Sequence, residues 1–416
     1  MNAGDTAWVI MGAALVLLMT PGLAFFYGGL VRRKNILSIL MQCFMVICLI
    51  TIQWTVFGYS LSFGPDVKGF IGNLDWAFLK GVGADPFAGY AATIPHSVFM
   101  IFQCMFAVIT PALILGAFAE RMKFSAFVAF ILVWATLVYD PIAHWVWGLG
   151  GFLSRFDALG NLKASGALDF AGGTVVHINA GIAALVTALV LGKRLGHPRL
   201  ISPPHNLPLS VLGAGLLWFG WFGFNAASAL AANGLAGNAF ITTHIGTAAA
   251  GLTWAILDKI FTKKATMLGM ITGAVAGLVA ITPACGFVNP TGAIFIGMAS
   301  SIVCFVFVTV VKPKLGYDDS LDAFGVHGIG GIVGALATGL FATAAVNGVN
   351  GLFYGNPAQF MIQVKAVGVT VVYSFVMTFI ILKVIDKVIG LRVNEHEERV
   401  GLDLTQHSES AYTMLD

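Results

Sequence analysis

Apolar positions in this chain run in long unbroken stretches, with none of the three-to-four residue spacing of a half-exposed helix and none of the alternation of a half-buried strand. Eleven stretches are long enough for the roughly 20 residues that a helix needs to cross a bilayer. They lie near 7–31, 36–62, 94–118, 124–148, 171–192, 207–227, 240–261, 265–285, 291–311, 323–342 and 363–389. A run this apolar on every face predicts a membrane helix, because in lipid only a helix or a closed barrel satisfies its own backbone. The expectation is an all-α polytopic membrane protein of eleven transmembrane helices, with a membrane domain over 1–389 and a polar tail over 390–416. Turn-rich polar stretches at 65–92, 155–169 and 343–358 read as loops on one side of the membrane.

An odd number of spans puts the termini on opposite sides, and basic residues choose between the two orientations. Arg32, Arg33, Lys34, Arg121, Lys123, Lys193, Arg194, Arg199, Lys259, Lys263, Lys264, Lys312 and Lys314 fall in loops on one side, together with Lys383, Lys387, Arg392 and Arg399 near the tail. Only Lys68, Lys80, Arg155, Lys163 and Lys365 fall elsewhere. The bias predicts the N-terminus outside and the C-terminus in the cytoplasm, in a cell membrane.

The sequence also repeats. Val176-His177 with Gly181-Ile182, in the fifth run, has the frame V-H-x-x-x-G-I of Val326-His327 with Gly331-Ile332 in the tenth. The tetrapeptide ITPA occurs at 109–112 in the third run and at 281–284 in the eighth. Both pairs are five spans apart, and five is odd, so the second copy enters the membrane from the opposite face. An inverted five-helix repeat follows, one copy over about 7–192 and the other over about 207–342, with an extra helix at about 363–389 and a midplane site where the halves meet.

Composition sharpens this picture. The 416 residues are 58% hydrophobic and only 10% charged, with a mean hydropathy of +0.89, against about 25% charge in a soluble domain. Fifty glycines fit close helix–helix contact in lipid. The absence of a basic cluster interleaved with aromatics outside the apolar runs excludes nucleic acid as a partner. Five cysteines without metal-type spacing read as small buried hydrophobes. The first run is longer than a signal-peptide core and precedes Arg32-Arg33-Lys34, which reads as an uncleaved span.

Candidate chemistry centres on the two histidines, since an ionisable side chain at membrane depth is expensive and usually functional. Two imidazoles lining one pore are able to share a hydrogen bond and to exchange tautomers if protons move. Such a pair suits a small molecule that gains or loses protons better than a metal ion. No HExxH, HxxxH or GxSxG pattern is present, so the chain is not read as an enzyme, and no cofactor or metal is expected. His96, His144 and His244 read as structural. Asp169, eight residues before His177, and Asp322, five before His327, read as helix caps, with Asp169 facing an outer vestibule. Aromatics are dense around Phe102–Phe106, Trp145–Trp147 and Trp218–Phe224, where a cluster at a pore mouth is able to hold a cation on its ring faces.

These residues together resemble the ammonium transporter family (Amt/Mep/Rh). The resemblance runs from TPGLAFFYGGLVRRKN through AERMKF, PIAHWVWG, LDFAGGTVVHINAG, PHNLP, WFGFNAAS, ITPACGF and DAFGVHGIGGIVG to GLRVNEHEERVGLDLTQHSESAY. It implies a homotrimer with one pore per subunit, conducting ammonium nitrogen. By position it implies that Phe106, Trp147 and Ser228, with Asp169, recruit ammonium outside. It makes Phe106 and Phe224 the pore gate, His177 and His327 the twin pore histidines, and Trp221 a pore-lining residue. Phe102 and Phe26 match as further members of the site. The tail resembles the segment that contacts PII-type nitrogen-regulatory proteins, although Val400 stands where an acidic residue is expected. Deprotonation of ammonium and passage of neutral ammonia is the implied mechanism; an electroneutral ammonia channel and an ammonium sensor signalling through the tail are the alternatives.

Overall fold

The computed structural model describes residues 1–198 and 203–412; Arg199, counted above among the basic loop residues, lies outside the described residues, as does the end of the tail. Every apolar stretch is a helix. The spans are α1 Ala3–Leu30, α2 Arg33–Phe63, α3 His96–Phe118, α4 Phe124–Trp147, α5 Gly173–Leu191, α6 Leu207–Ala229, α7 Gly234–Thr262, α8 Met267–Ile281, α9 Pro290–Leu315, α10 Phe324–Phe341 and α11 Pro357–Val388. Ten are long and apolar enough to cross a bilayer; α8, with 15 residues, is the short one. It stops where the second ITPA leaves the helix and turns, Ala284 N–H donating to Ile281 O at 3.0 Å. The first ITPA continues as helix through Pro111.

Asparagine begins many of these helices. Asn2, Asn206, Asn233, Asn289 and Asn356 each accept a first-turn backbone N–H through their side-chain oxygen, at 2.9 to 3.3 Å. These caps satisfy donors that the bilayer edge would otherwise leave bare. A two-residue hairpin, β1 Asp66–Val67 with β2 Ile71–Gly72, folds the α2–α3 loop. This loop, the α4–α5 loop and the α10–α11 loop share one end of the bundle with the N-terminus, hereafter the loop face; the C-terminal segment lies on the other, the tail face.

The inverted repeat is visible in the backbone. The helices widen to π-helical turns at Ala135–Tyr139 of α4 and Phe307–Val311 of α9, and again at Gly173–Ile178 of α5 and Phe324–Gly328 of α10. The fourth and ninth spans thus match, as do the fifth and tenth. Each histidine sits in the π-turn that opens its helix, a distortion frequent at functional sites. The glycine of each V-H-x-x-x-G-I frame packs on the other copy. A Cβ at Gly181 would lie 2.1 Å from Gly328 N, and one at Gly331 would lie 3.0 Å from Ile178 N. The frame therefore repeats because each half needs a glycine to let the other half's broken turn in.

One cap differs from the sequence expectation. Asp322 caps nothing: it has φ +59° and pairs with Lys312 Nζ at 2.6 Å. The counterpart of Asp169 is Asp319, which stands eight residues before His327, as Asp169 does before His177. Asp319 accepts the N–H groups of Ala323 and Phe324 at 3.1 and 2.8 Å. Cys48 also departs from expectation, being exposed on α2, while the other four cysteines are buried and all five are free thiols.

Ion pairs knit the tail face across the repeat. Glu120, its side chain 1% exposed, accepts from Arg32 and Arg194, and Asp318 accepts from Arg194 at 2.8 Å. Burial works to raise both carboxyls, but the hydrogen bonds and charges of Arg32 on Glu120, and of Arg194 on both, hold them below the ordinary carboxylate range. Both groups thus bind protons less readily folded than unfolded. The stability they add is complete above the unfolded carboxylate value of about 4 and is lost as pH falls through the lowered native values. Glu120→Ala, which leaves Arg32 without its carboxylate and Arg194 with Asp318 alone, is expected to cost about 3 kcal/mol at neutral pH. Thermal unfolding of the purified protein checks this; an unchanged midpoint contradicts it.

The polar tail is packed down on this face. Helices α12 Glu395–Val400 and α13 Leu402–His407 lie against the loops. Asp403 accepts Ser38 N–H at 2.8 Å, Asn35 accepts Leu402 N–H at 2.8 Å, and Glu398 accepts Leu195 N–H at 2.6 Å. The Lys34 ammonium bonds to Arg399 O.

Candidate functional site

The residues singled out in the sequence fall along one line through the bundle. On the loop face a cavity of about 240 Å³ is lined by Gln103, Phe106, Trp147, Asp169 and Ser228, among others. Phe106 forms its floor against Phe224, with ring centroids 4.3 Å apart and planes at 35°. Trp147 stands edge-on to Phe106 at 5.8 Å. Phe102 is buried behind Phe106 at 5.0 Å. Phe26 is elsewhere, on the cavity of the tail face, and takes no part in this cluster.

The polar atoms here are already oriented. Trp147 donates its indole N–H to Asp169 O at 2.9 Å, leaving its ring to the cavity. Ser228 Oγ donates to Phe224 O at 2.8 Å, so the remaining capacity of its oxygen is to accept. Asp169 takes Gly172 and Gly173 N–H on Oδ1, at 2.9 and 2.6 Å, and Thr174 and Val175 N–H on Oδ2, at 2.8 and 3.2 Å. With both oxygens so occupied and the residue 6% exposed, Asp169 holds the α5 π-turn and supplies charge rather than an open ligand position. Gln103, which sequence reasoning passed over, brings a buried Oε1 with no hydrogen-bond partner among the described residues. It stands three residues before Phe106, on the same helix face, and that spacing was its signal.

Below the Phe106–Phe224 constriction come the histidines. The His177 ring lies 6.0 Å from Phe224, 5.4 Å from Trp221 and 5.5 Å from His327, the last two with planes within 15°. Trp221 is pinned by its indole N–H on Thr282 Oγ1 at 2.8 Å. Both histidines are buried, and neither His177 nitrogen nor His327 Nδ1 has a hydrogen-bond partner among the described residues. The two imidazoles, able in principle to share a hydrogen bond, do not make one here: the π-turns lay the rings side by side at 5.5 Å. Beyond His327 a second cavity, about 330 Å³, opens toward the tail face past Trp254, Asp258 and Asp322. The other intramembrane histidines are committed to structure: His96 bonds Tyr59 Oη, and His144 bonds Ser62 O and Asp66. His244 rests against Trp218 at 5.4 Å.

Two end cavities joined through an aromatic constriction and a buried imidazole pair, at the meeting of inverted repeats, define a membrane transport protein. The comparisons give the family. Residues 7–412 match the Ammonium Transporter Family. The chain is 53% identical over 414 residues to an ammonium transporter of Bacillus subtilis, covering 99% of both chains, and 50% identical over 417 residues to one of Aquifex aeolicus, covering all of this chain and 94% of that one. Crystal structures agree: Saccharomyces cerevisiae Mep2 superposes with a TM-score of 0.88 at 34% identity, over 95% of this chain and 88% of that one. A sensor Amt protein superposes with a TM-score of 0.87 at 30% identity, over 97% of this chain and 98% of that one. The chain belongs to the ammonium transporter family, whose members are transporters and not enzymes.

Proposed function

We propose that this protein transports ammonium by binding NH4+ at the loop face, stripping one proton, and passing NH3 between His177 and His327 to the tail face. The observation that carries the reading is the buried imidazole pair, three of its nitrogens without a hydrogen-bond partner among the described residues, directly behind an aromatic constriction. Ammonium and potassium have similar size and charge, so a hydration-replacing filter separates them poorly. A narrow path walled by rings and aliphatic side chains separates them by chemistry: potassium bears the full cost of desolvating a charge, whereas ammonium sheds its charge with a proton. Phe106, Trp147, Ser228 and the charge of Asp169 recruit the cation; Phe106 and Phe224 gate; His177, His327 and Trp221 line the neutral path.

The basic loops support an orientation with the loop face outside and the tail face in the cytoplasm of a cell membrane. Domain organisation follows as a membrane domain, 1–389, and a regulatory tail, 390–416. The family resemblance supports a homotrimer and a PII-type partner at the tail. Deletion after Gly390 is expected to abolish binding of a PII-type protein; persistent tight binding contradicts the docking role. The likeness to a sensor Amt protein favours signalling as the second reading, read out as a tail-dependent response without flux.

Current and nitrogen uptake measured together on reconstituted protein under an ammonium gradient test the reading. Uptake with current means that a positive charge crosses with the nitrogen. Uptake without current means that the proton returns outside. No uptake contradicts transport.

A further inference from the structure

The loop-face cavity also holds a fixed positive charge. Arg155 lines it together with Trp147, Asp169 and Ser228, and its guanidinium carbon lies 5.1 Å from the centroid of the Phe287 ring. The segment that carries it is held tightly. Lys163 N–H donates to Arg155 O at 2.7 Å, Phe156 bridges to Leu162, and a Cβ at Gly166 would fall 2.3 Å from Arg155 Cα. Among the described residues no carboxylate forms an ion pair with Arg155. A cavity that gathers cations therefore keeps one cation of its own.

The other charged and titratable groups around the cavity are accounted for. Asp169 is spent on four backbone N–H groups. From the same loop, Lys163 Nζ bonds to Gly151 O and Asp157 closes its own turn on Leu159 and Asn161. Tyr90 donates to Phe63 O, Asp5 of α1 accepts Ala232 N–H, and the Cys285 thiol donates to Thr282 O. Gln103 of α3, Trp147 of α4, Ser228 of α6, Phe287 and Asn347 face the cavity without charge. The formal charges lining the cavity are thus a buried, saturated carboxylate and a guanidinium.

We propose that Arg155 is a specificity-determining residue of the outer site, a fixed cation that weakens the binding of ammonium while favouring its neutral form. This rests on the deprotonation reading above. A like charge nearby disfavours the charged state of a titrating group, so NH4+ facing Arg155 gives its proton to vestibule water more readily and leaves as NH3. The same field opposes entry of cations that cannot lose charge, most strongly divalent ones. Affinity is exchanged for proton loss.

The two effects separate in kinetics. In full-length protein reconstituted in liposomes, with ammonium chloride as the probe, Arg155→Gln is expected to lower KM roughly three-fold. It is also expected to lower kcat and to move the half-maximal pH of transport upward, while Arg155→Lys keeps wild-type values. A merely structural role predicts the reverse for KM, with Lys failing like Gln. Arg155→Gln with unchanged KM and pH profile, or with a raised KM, overturns the inference alone. Absence of wild-type ammonium transport, or an unaffected Trp147→Leu variant, sinks the outer-site reading beneath it instead.

Discussion

Replacing both pore histidines, His177→Ala with His327→Ala, is expected to abolish selective ammonium transport while leaving the fold intact. The two rings lie side by side at 5.5 Å and make no hydrogen bond to each other or to the surrounding helices through the three nitrogens that are fully buried. Their removal therefore breaks no structural hydrogen bond at those atoms. It opens a small hollow, with a stability loss of about 2 kcal/mol expected from the missing packing. The functional loss is far larger, because the imidazole nitrogens left without protein partners beside the neutral path go with the rings. Flux ratios for ammonium and potassium on reconstituted variant and parent measure this; an unchanged ratio contradicts proton stripping.

Asp169→Ala is expected to be the most damaging single substitution on the loop face. It leaves four backbone N–H groups of the α5 π-turn without their acceptor, in a place 6% exposed. At about 1–3 kcal/mol for each buried donor left unpaired, the turn that carries His177 cannot hold its geometry. Transport is lost, and the unfolding midpoint drops sharply. Asp169→Asn keeps one accepting oxygen but turns an NH2 toward the donors on the other, so it recovers little. Thermal unfolding and uptake on both variants check the account, and an Asp169→Ala protein with parental stability and rate contradicts it.

The spans were legible because hydropathy reports burial in lipid directly, and all eleven stretches became helices. The early end of α8 was not legible from its ITPA, since the same tetrapeptide continues as helix through Pro111 in α3 and leaves the helix at Ile281–Ala284. Asp319 was present in the spacing, eight residues before His327, but the nearer Asp322 hid it; charge pairing with Lys312 is a tertiary fact. The pairing of Gly181 and Gly331 with the opposite π-turns was written in the repeated frame, although the frame alone did not say what each glycine touches. The tail carried its own signal, Asn394 and Glu397 forming a capping box, yet its docking depends on single contacts such as Asp403 with Ser38 N–H that no periodicity announces. At the outer site the aromatic residues were readable by resemblance. What those residues leave open to a cation depends on where Trp147, Ser228 and Asp169 spend their hydrogen bonds, which only three dimensions give.

The central claim is that charge is shed before the pore is crossed. Its most direct test is ammonium uptake by the intact reconstituted protein in roughly hundred-fold excess potassium, with potassium flux followed in the same liposomes. The account predicts sustained ammonium uptake and no potassium flux; potassium permeating at a comparable rate would contradict it.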